Sequence, residues 1–126
     1  MEVKTSTKEK FTVISVAASE LSANMTEELC KSAGTLLQLP NKNVVLNMEG
    51  VAAMTEDAGE CLVKTQHHFY ESGASFEVCC LQPAVEQTLD ETGLLELMNV
   101  TPTESEAWDI VQMEEIEREL LGDEEE

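Results

Sequence analysis

Apolar positions along the chain switch between two periods, and each switch marks an element. Phe11-Thr12-Val13-Ile14-Ser15-Val16 is a β-branched run that predicts a strand. Glu2 to Thr7 alternates weakly ahead of it and predicts a hairpin partner, with Lys8-Glu9-Lys10 as the turn. From Ser22 to Leu37 the period lengthens, placing Met25, Leu29, Ala33, Leu36 and Leu37 on one helical face. Ser22 or Asn24 is placed to cap this helix, with Glu27 and Glu28 in the first turn, where the helix dipole favours acids. Pro40-Asn41 breaks the chain. Asn43 to Met48 is an apolar run between turn residues, hence a buried strand. Thr55 to Ser72 then reads as a second helix with Ala58, Cys61, Leu62, Thr65 and Phe69 on its stripe and Gly73 as its stop.

Ser75 to Leu81 predicts another strand, and Pro83 opens a third helix running to about Leu89. Gly93 to Met98 is a loop with a short apolar turn. Ser105 to Leu121 makes the last helix, with Ser105 as its N-cap and Trp108, Val111, Glu115, Ile116 and Leu120 near helical spacing. The order ββαβαβαα implies parallel connections and helices packed over a sheet, the α/β class.

Composition bounds the function. A length of 126 residues suits one domain, and 42% hydrophobic content is too high for a disordered acidic chain. Seven Lys and Arg against 26 Asp and Glu leave a formal charge of −19. That excess argues against direct nucleic-acid binding and against an anionic membrane surface, and it favours solubility or a basic protein partner. No apolar run approaches the ~20 residues of a membrane span. The polar start, Met1 to Lys8, has no apolar stretch behind it, so the expected location is the cytoplasm. Eleven acids and only Arg118 among the bases lie from Glu104 onward. The expected organisation is one domain over 1–122 and an acidic, disordered tail over 123–126. That tail is read as solvated, with contact to a cationic partner as the alternative.

Catalytic signatures are missing. His67 and His68 are adjacent in a predicted helix, so their side chains diverge by about 100°. No GxSxG, GxGxxG or Walker A pattern occurs, and carboxylates are too abundant for a pair to carry meaning. Cys30, Cys61, Cys79 and Cys80 form no CxxC pair and read as reduced, buried small hydrophobes, with Cys79 and Cys80 on opposite faces of a strand. The expectation is no enzyme, no cofactor and no metal site.

The segment from Val44 to Leu97 carries the most information. The run Val44-Val45-Leu46-Asn47-Met48 leads into Gly50-Val51 and then a helix start at Met54 to Gly59. Gly73, Pro83-Ala84-Val85 and Glu91-Thr92-Gly93-Leu94 follow in order, and Ser19-Glu20-Leu21 with Thr26-Glu27-Glu28-Leu29 precede. This succession resembles the STAS domain, the family of anti-sigma factor antagonists, whose members read "VVLDLSGVxxIDSSGL", a helix, "GxxLxLxxxxPxV" and "ETGL". The resemblance implies a small mixed β-sheet of about four strands, with about four helices mainly on one face and no cofactor. It also implies a bacterial regulator of transcription that binds an anti-sigma factor or serine kinase in a partner-switching pathway.

In that family a Ser or Thr at the start of the second helix is phosphorylated, and the complex breaks. Here, anchoring on Gly59 puts Asp57 at that position, whereas anchoring on Gly50-Val51 puts Glu56 there. Either way the position is an acid. Three readings stay open: a permanent charge in place of the phosphate, a displaced acceptor at Thr55, and a plain helix cap at Thr55 with two dipole-favoured acids. The expected partner surface is the loop and helix start Ala53, Met54, Thr55, Glu56, Asp57, Ala58 and Gly59, with Cys61 to Lys64 behind it. The alternative role is a constitutive STAS subunit of a larger assembly, a lipid-transport complex or stressosome-like scaffold.

Overall fold

Val44, Val45 and Leu46 are all fully buried, so this run is covered on both faces, as in the centre of a parallel sheet. The structure, a computed structural model, describes residues 1–39 and 42–125, with side chains to Leu121. Pro40-Asn41, read as a break, and Glu126 lie outside the described residues. The strands are β1 (Glu2–Thr7), β2 (Thr12–Ala18), β3 (Val44–Val51), β4 (Phe76–Cys79) and β5 (Val100–Thr101). They form one sheet ordered β1-β2-β3-β4-β5, antiparallel between β1 and β2 and parallel elsewhere. The helices are α1 (Ala23–Thr35), α2 (Glu56–Glu71), α3 (Pro83–Glu91) and α4 (Glu104–Glu125), with short 3-10 turns at Leu36–Gln38 and Leu95–Leu97. Among the described residues, no helix is long and apolar enough to cross a membrane.

The strand order decides where the helices go. Four parallel strands laid down side by side in one direction, joined by crossovers of one hand, put α1, α2 and α3 on the same face. Leu29 and Ala33 of α1, Leu62 and Phe69 of α2, and Val85 and Leu89 of α3 meet Ile14, Leu46 and Val78 there. The second face belongs to α4, whose Ala107 and Val111 cover Phe11, Val13, Val45 and Cys79, with Phe11 stacked on Trp108 at 4.6 Å. At about 1.5–3 kcal/mol per buried large apolar side chain, the first face carries most of the hydrophobic stabilisation. α4 is the more lightly held element.

Beyond Val111 the interface under α4 turns polar. Asn43 donates to the Glu115 carboxylate at 2.6 Å and accepts from the Ser75 N–H at 2.9 Å, and the Ser75 hydroxyl donates to Glu114. Arg118 reaches both Ser75 and Asn43. Glu77 of β4 is 1% exposed, and among the described residues its Oε2 has no hydrogen-bond partner. Burial, with Glu114 beside it, pushes the Glu77 carboxyl up to about 8.

Several local expectations change. The last helix starts at Glu104, and its first-turn Glu106 N–H is accepted by Thr103, which takes the capping role assigned to Ser105. Ile116 and Leu120 are 56% and 60% exposed, because the sheet beneath that part of α4 presents Asn43, Ser75 and Glu77 and is met by polar residues. Ser22, not Asn24, caps α1, accepting from Met25 N–H. Since α1 begins at Ala23, Glu27 and Glu28 fall beyond its first turn. Cys79 and Cys80 do not alternate: the strand ends at Cys79, Cys80 takes φ 63°, and both join the α4-side cluster. Only Cys79 is buried; Cys30, Cys61 and Cys80 are half-buried, and the four thiols are free. β5, two residues long, completes five strands where about four were expected.

β2 and β3 change register between Ser15 and Ala17, which pair with Asn47 and Gly50, so β3 carries one extra residue there. A Cβ on Gly50 would stand 2.7 Å from the Val16 carbonyl oxygen. Gly59 is also crowded, but by the Leu89 and Leu94 methyls at 2.8 Å, which can rotate away in part. Gly50→Ala should therefore cost more than Gly59→Ala, both within about 1–3 kcal/mol, as thermal unfolding of the two variants will measure. Glu77 gives a pH prediction. The unfolded chain loses this proton near the ordinary 4.5 and the folded chain near about 8. Over that window the folded state binds more protons, so the Glu77 contribution to stability falls as pH rises from about 4.5 to about 8 and levels off beyond. Glu77→Gln should raise the melting temperature by several degrees at pH 8 and leave it nearly unchanged at pH 4.

Candidate functional site

The loop after β3 lies at the carboxyl end of the central strand, where open parallel sheets place their functional loops. Two backbone hydrogen bonds fasten it to the segment entering α1. The Leu21 N–H donates to the Ala53 carbonyl at 2.8 Å, and the Thr55 N–H donates to the Leu21 carbonyl at 3.1 Å. Leu21 and Met54 thereby form a parallel bridge, and both side chains go into the core. The Ala52 N–H adds a bond to Ala18 at 3.0 Å. The loop is held along its length before the helix begins.

Thr55 is the N-cap of α2, with extended backbone at φ −85° and ψ 160°, and its hydroxyl accepts from the Ala58 N–H at 3.3 Å. Glu56 and Asp57 occupy the first turn, close to the unpaired amides and the positive end of the dipole. Both are exposed. Ala58 and Gly59 turn inward, and Gly59 admits the Leu89 and Leu94 side chains that bring α3 and its following loop against α2.

The expected surface thus divides. Met54, Ala58 and Gly59 build the core, Thr55 and Ala53 are half-buried, and Glu56 and Asp57 face solvent. Behind them Leu62 is fully buried, Lys64 is exposed, and Cys61 and Val63 are half-buried. Cys61 donates to the Cys30 sulfur at 3.7 Å, and burial pushes the Cys30 thiol up to about 12, away from the thiolate a nucleophile needs. His67 and His68 lie on the exposed side of α2. Among the described residues no three His, Cys, Asp or Glu side chains gather as a metal-ligand set.

One organising residue escaped the sequence reading. Gln66 is 8% exposed; its amide nitrogen donates to the Phe76 and Asn99 carbonyls and its oxygen accepts from the Asn99 N–H. It ties α2 to the approach of β5. Its only trace in the sequence is a polar residue between Leu62 and Phe69 on an otherwise apolar stripe.

A sequence model described as the STAS domain matches residues 2–107, most of the chain. The chain belongs to the STAS family. By sequence, no curated relative matches it. Solved STAS structures share its fold at low identity. An anti-sigma factor antagonist from Mycobacterium paratuberculosis is 19% identical, with 88% of this chain and 93% of that one covered at TM-score 0.74. A STAS protein from Planctomyces limnophilus is 21% identical, covering 87% and 97%, at TM-score 0.72. Moorella thermoacetica RsbS with a serine-to-glutamate substitution is 16% identical, covering 89% and 96%, at TM-score 0.71. The mixed sheet with four helices is the architecture the STAS resemblance implies.

Because the Thr55 hydroxyl serves α2 directly, Thr55→Ala should cost about 1 kcal/mol, and Thr55→Ser should restore most of it. Denaturant titration of the two variants, with unchanged slopes, will check this.

Proposed function

We propose that this STAS chain is a non-enzymatic regulatory module that binds a protein partner through the Ala53–Gly59 loop and the first turn of α2. The observation that carries the reading is the pair Glu56 and Asp57, exposed at the start of α2 on a loop whose neighbouring side chains are committed to the core or to the cap. A rigid backing with two free charges suits recognition by complementary charge. The partner class is an anti-sigma factor, a serine kinase or another signalling protein, in the cytoplasm of a bacterium.

Where STAS antagonists carry the phosphorylated hydroxyl, this chain carries Glu56 or Asp57. A phosphate brings about −1.5 to −2 charges and is removable, whereas a carboxylate is permanent. The surface is then held in a state like the phosphorylated one, and switching through that group is lost. Thr55 is a weaker acceptor candidate, since its hydroxyl is half-buried and engaged by the Ala58 N–H.

The test is a pull-down with mass spectrometry using wild type, Glu56→Ser and Asp57→Ser. Loss of the charge at the acceptor-equivalent position should strengthen capture of a kinase-like partner about tenfold or more, about 1.4 kcal/mol, in one of the two variants. The same partners held at unchanged affinity by both variants would sink the permanent-acid reading. Phosphate found on Thr55 after incubation with a captured kinase would replace it with a switch at that hydroxyl.

A further inference from the structure

Two features of α4 play no part in the α2 surface. The first is a stripe on its outer side: Met113, Ile116 and Leu120 are 57%, 56% and 60% exposed and recur at i, i+3 and i+7. Large apolar side chains grouped on one exposed helix face mark an interaction surface. The second is a groove of about 390 Å³ between α4 and the β4–β5 edge of the sheet. Met98, Ile110 and Met113 give it apolar walls, and Glu114 and Glu117 give it an acidic side. Glu77 lines it from the sheet, almost fully buried beside Glu114, and among the described residues no donor reaches its Oε2. In its ionised form this carboxylate only accepts, so a donor entering the groove would satisfy it. Three acids together favour a cationic donor.

We propose that the groove and stripe dock a basic amphipathic helix of a partner protein. One Lys or Arg enters the groove toward Glu77 and Glu114, and the apolar side of the helix covers Met113, Ile116 and Leu120. The apolar walls suit the methylene stem of such a side chain, and the acids suit its head. Charge selects this occupant over a second copy of the chain. From Glu104 onward there are eleven acids and one base, so an α4–α4 pairing would set like charges against one another.

The free protein holds a proton where the partner's cation would sit, because burial and Glu114 keep Glu77 largely neutral near pH 7. The other charged groups around it are Glu117 and Arg118 of α4, the latter engaged by Ser75 and Asn43. Val45 opposite on β3 and Thr101 of β5 are uncharged, and His67 of α2 lines the adjoining pocket with Glu114. Docking an ammonium or guanidinium releases the Glu77 proton to solvent, so binding tightens as pH rises to about 8 and levels off beyond.

The experiment is fluorescence anisotropy on the full chain with a labelled synthetic helix of about 20 residues carrying a Leu stripe at i, i+3 and i+7 and Lys and Arg beside it. A scrambled peptide of the same composition is the control for bulk charge. The striped peptide should bind about tenfold more tightly than the scrambled one, with affinity rising from about pH 6 to about 8 and levelling off beyond. Ile116→Ser with Leu120→Ser, both at exposed positions, should weaken it about tenfold. Glu77→Gln should weaken it and flatten the pH profile. Glu56→Ser and Asp57→Ser should bind as wild type does, which separates this surface from the α2 loop. Equal binding of the scrambled peptide, or affinity unchanged by the stripe or Glu77 substitution in variants that melt cooperatively, overturns the proposal. A dimer in sedimentation that Ile116→Ser dissolves gives the stripe to a second copy and overturns it too.

Discussion

β3 is hydrogen-bonded to a parallel neighbour along each edge and buries Val44, Val45 and Leu46 completely, so both faces of the sheet need a cover. The sequential strand order delivers three crossover helices to one face only. The other face is left to whatever follows β5, and that is α4. One-sided winding therefore explains why α4 exists as a long separate helix and why it lies across β3 and β4. It also fixes the loop into α2, because the strand feeding that loop is the most constrained in the sheet. Gly50 adds to this by letting β3 bulge against β2 just before the loop begins.

The two faces are held by different physics. On the crossover side the contacts are almost wholly apolar, down to the Phe69 and Phe76 rings 5.1 Å apart. On the α4 side a small apolar cluster around Phe11 and Trp108 gives way to hydrogen bonds among Asn43, Ser75, Glu114, Glu115 and Arg118. A polar layer of this kind fixes geometry more than it adds stability, and an unsatisfied member costs about 1–3 kcal/mol. Glu77 is the unsatisfied member. A glutamine there would remove the burial cost of the charge, so stability alone does not account for an acid at this position.

Which parts were readable from sequence follows from the same division. Elements facing the apolar side were visible because one period persisted: Leu29 and Ala33 in α1, Leu62 and Phe69 in α2, and the β-branched run of β2. Gly73, at φ 77°, ended α2 as expected. α4 was readable as a helix but not in its facing, since Ile116 and Leu120 look like core positions until the polar sheet surface beneath Glu114 and Arg118 is known. β5 was invisible because two residues carry no period; Gln66, a remote side chain, holds its approach in place. At the α2 loop the family pattern located the helix start. It did not choose between Glu56 and Asp57, and adjacent first-turn positions differ too little in exposure to separate them.

Acidic side chains do three different jobs in one chain whose formal charge is −19. Glu56 and Asp57 sit where amides and dipole offset their charge, so they cost the fold little and face solvent. Glu77 sits where nothing offsets its charge, and the fold answers by holding a proton. Most of the remaining acids are exposed and contribute to solubility. The first two sets lie on opposite faces of a rigid sheet, joined through β3 and β4, and share no hydrogen-bonded partner in the described network. Substitutions at such separated sites add, so changes at Glu56 or Asp57 and at Glu77 should combine as independent free energies. Coupling between them would require a second arrangement of the strands, and β3, packed and bonded on every side, is the element least able to supply one.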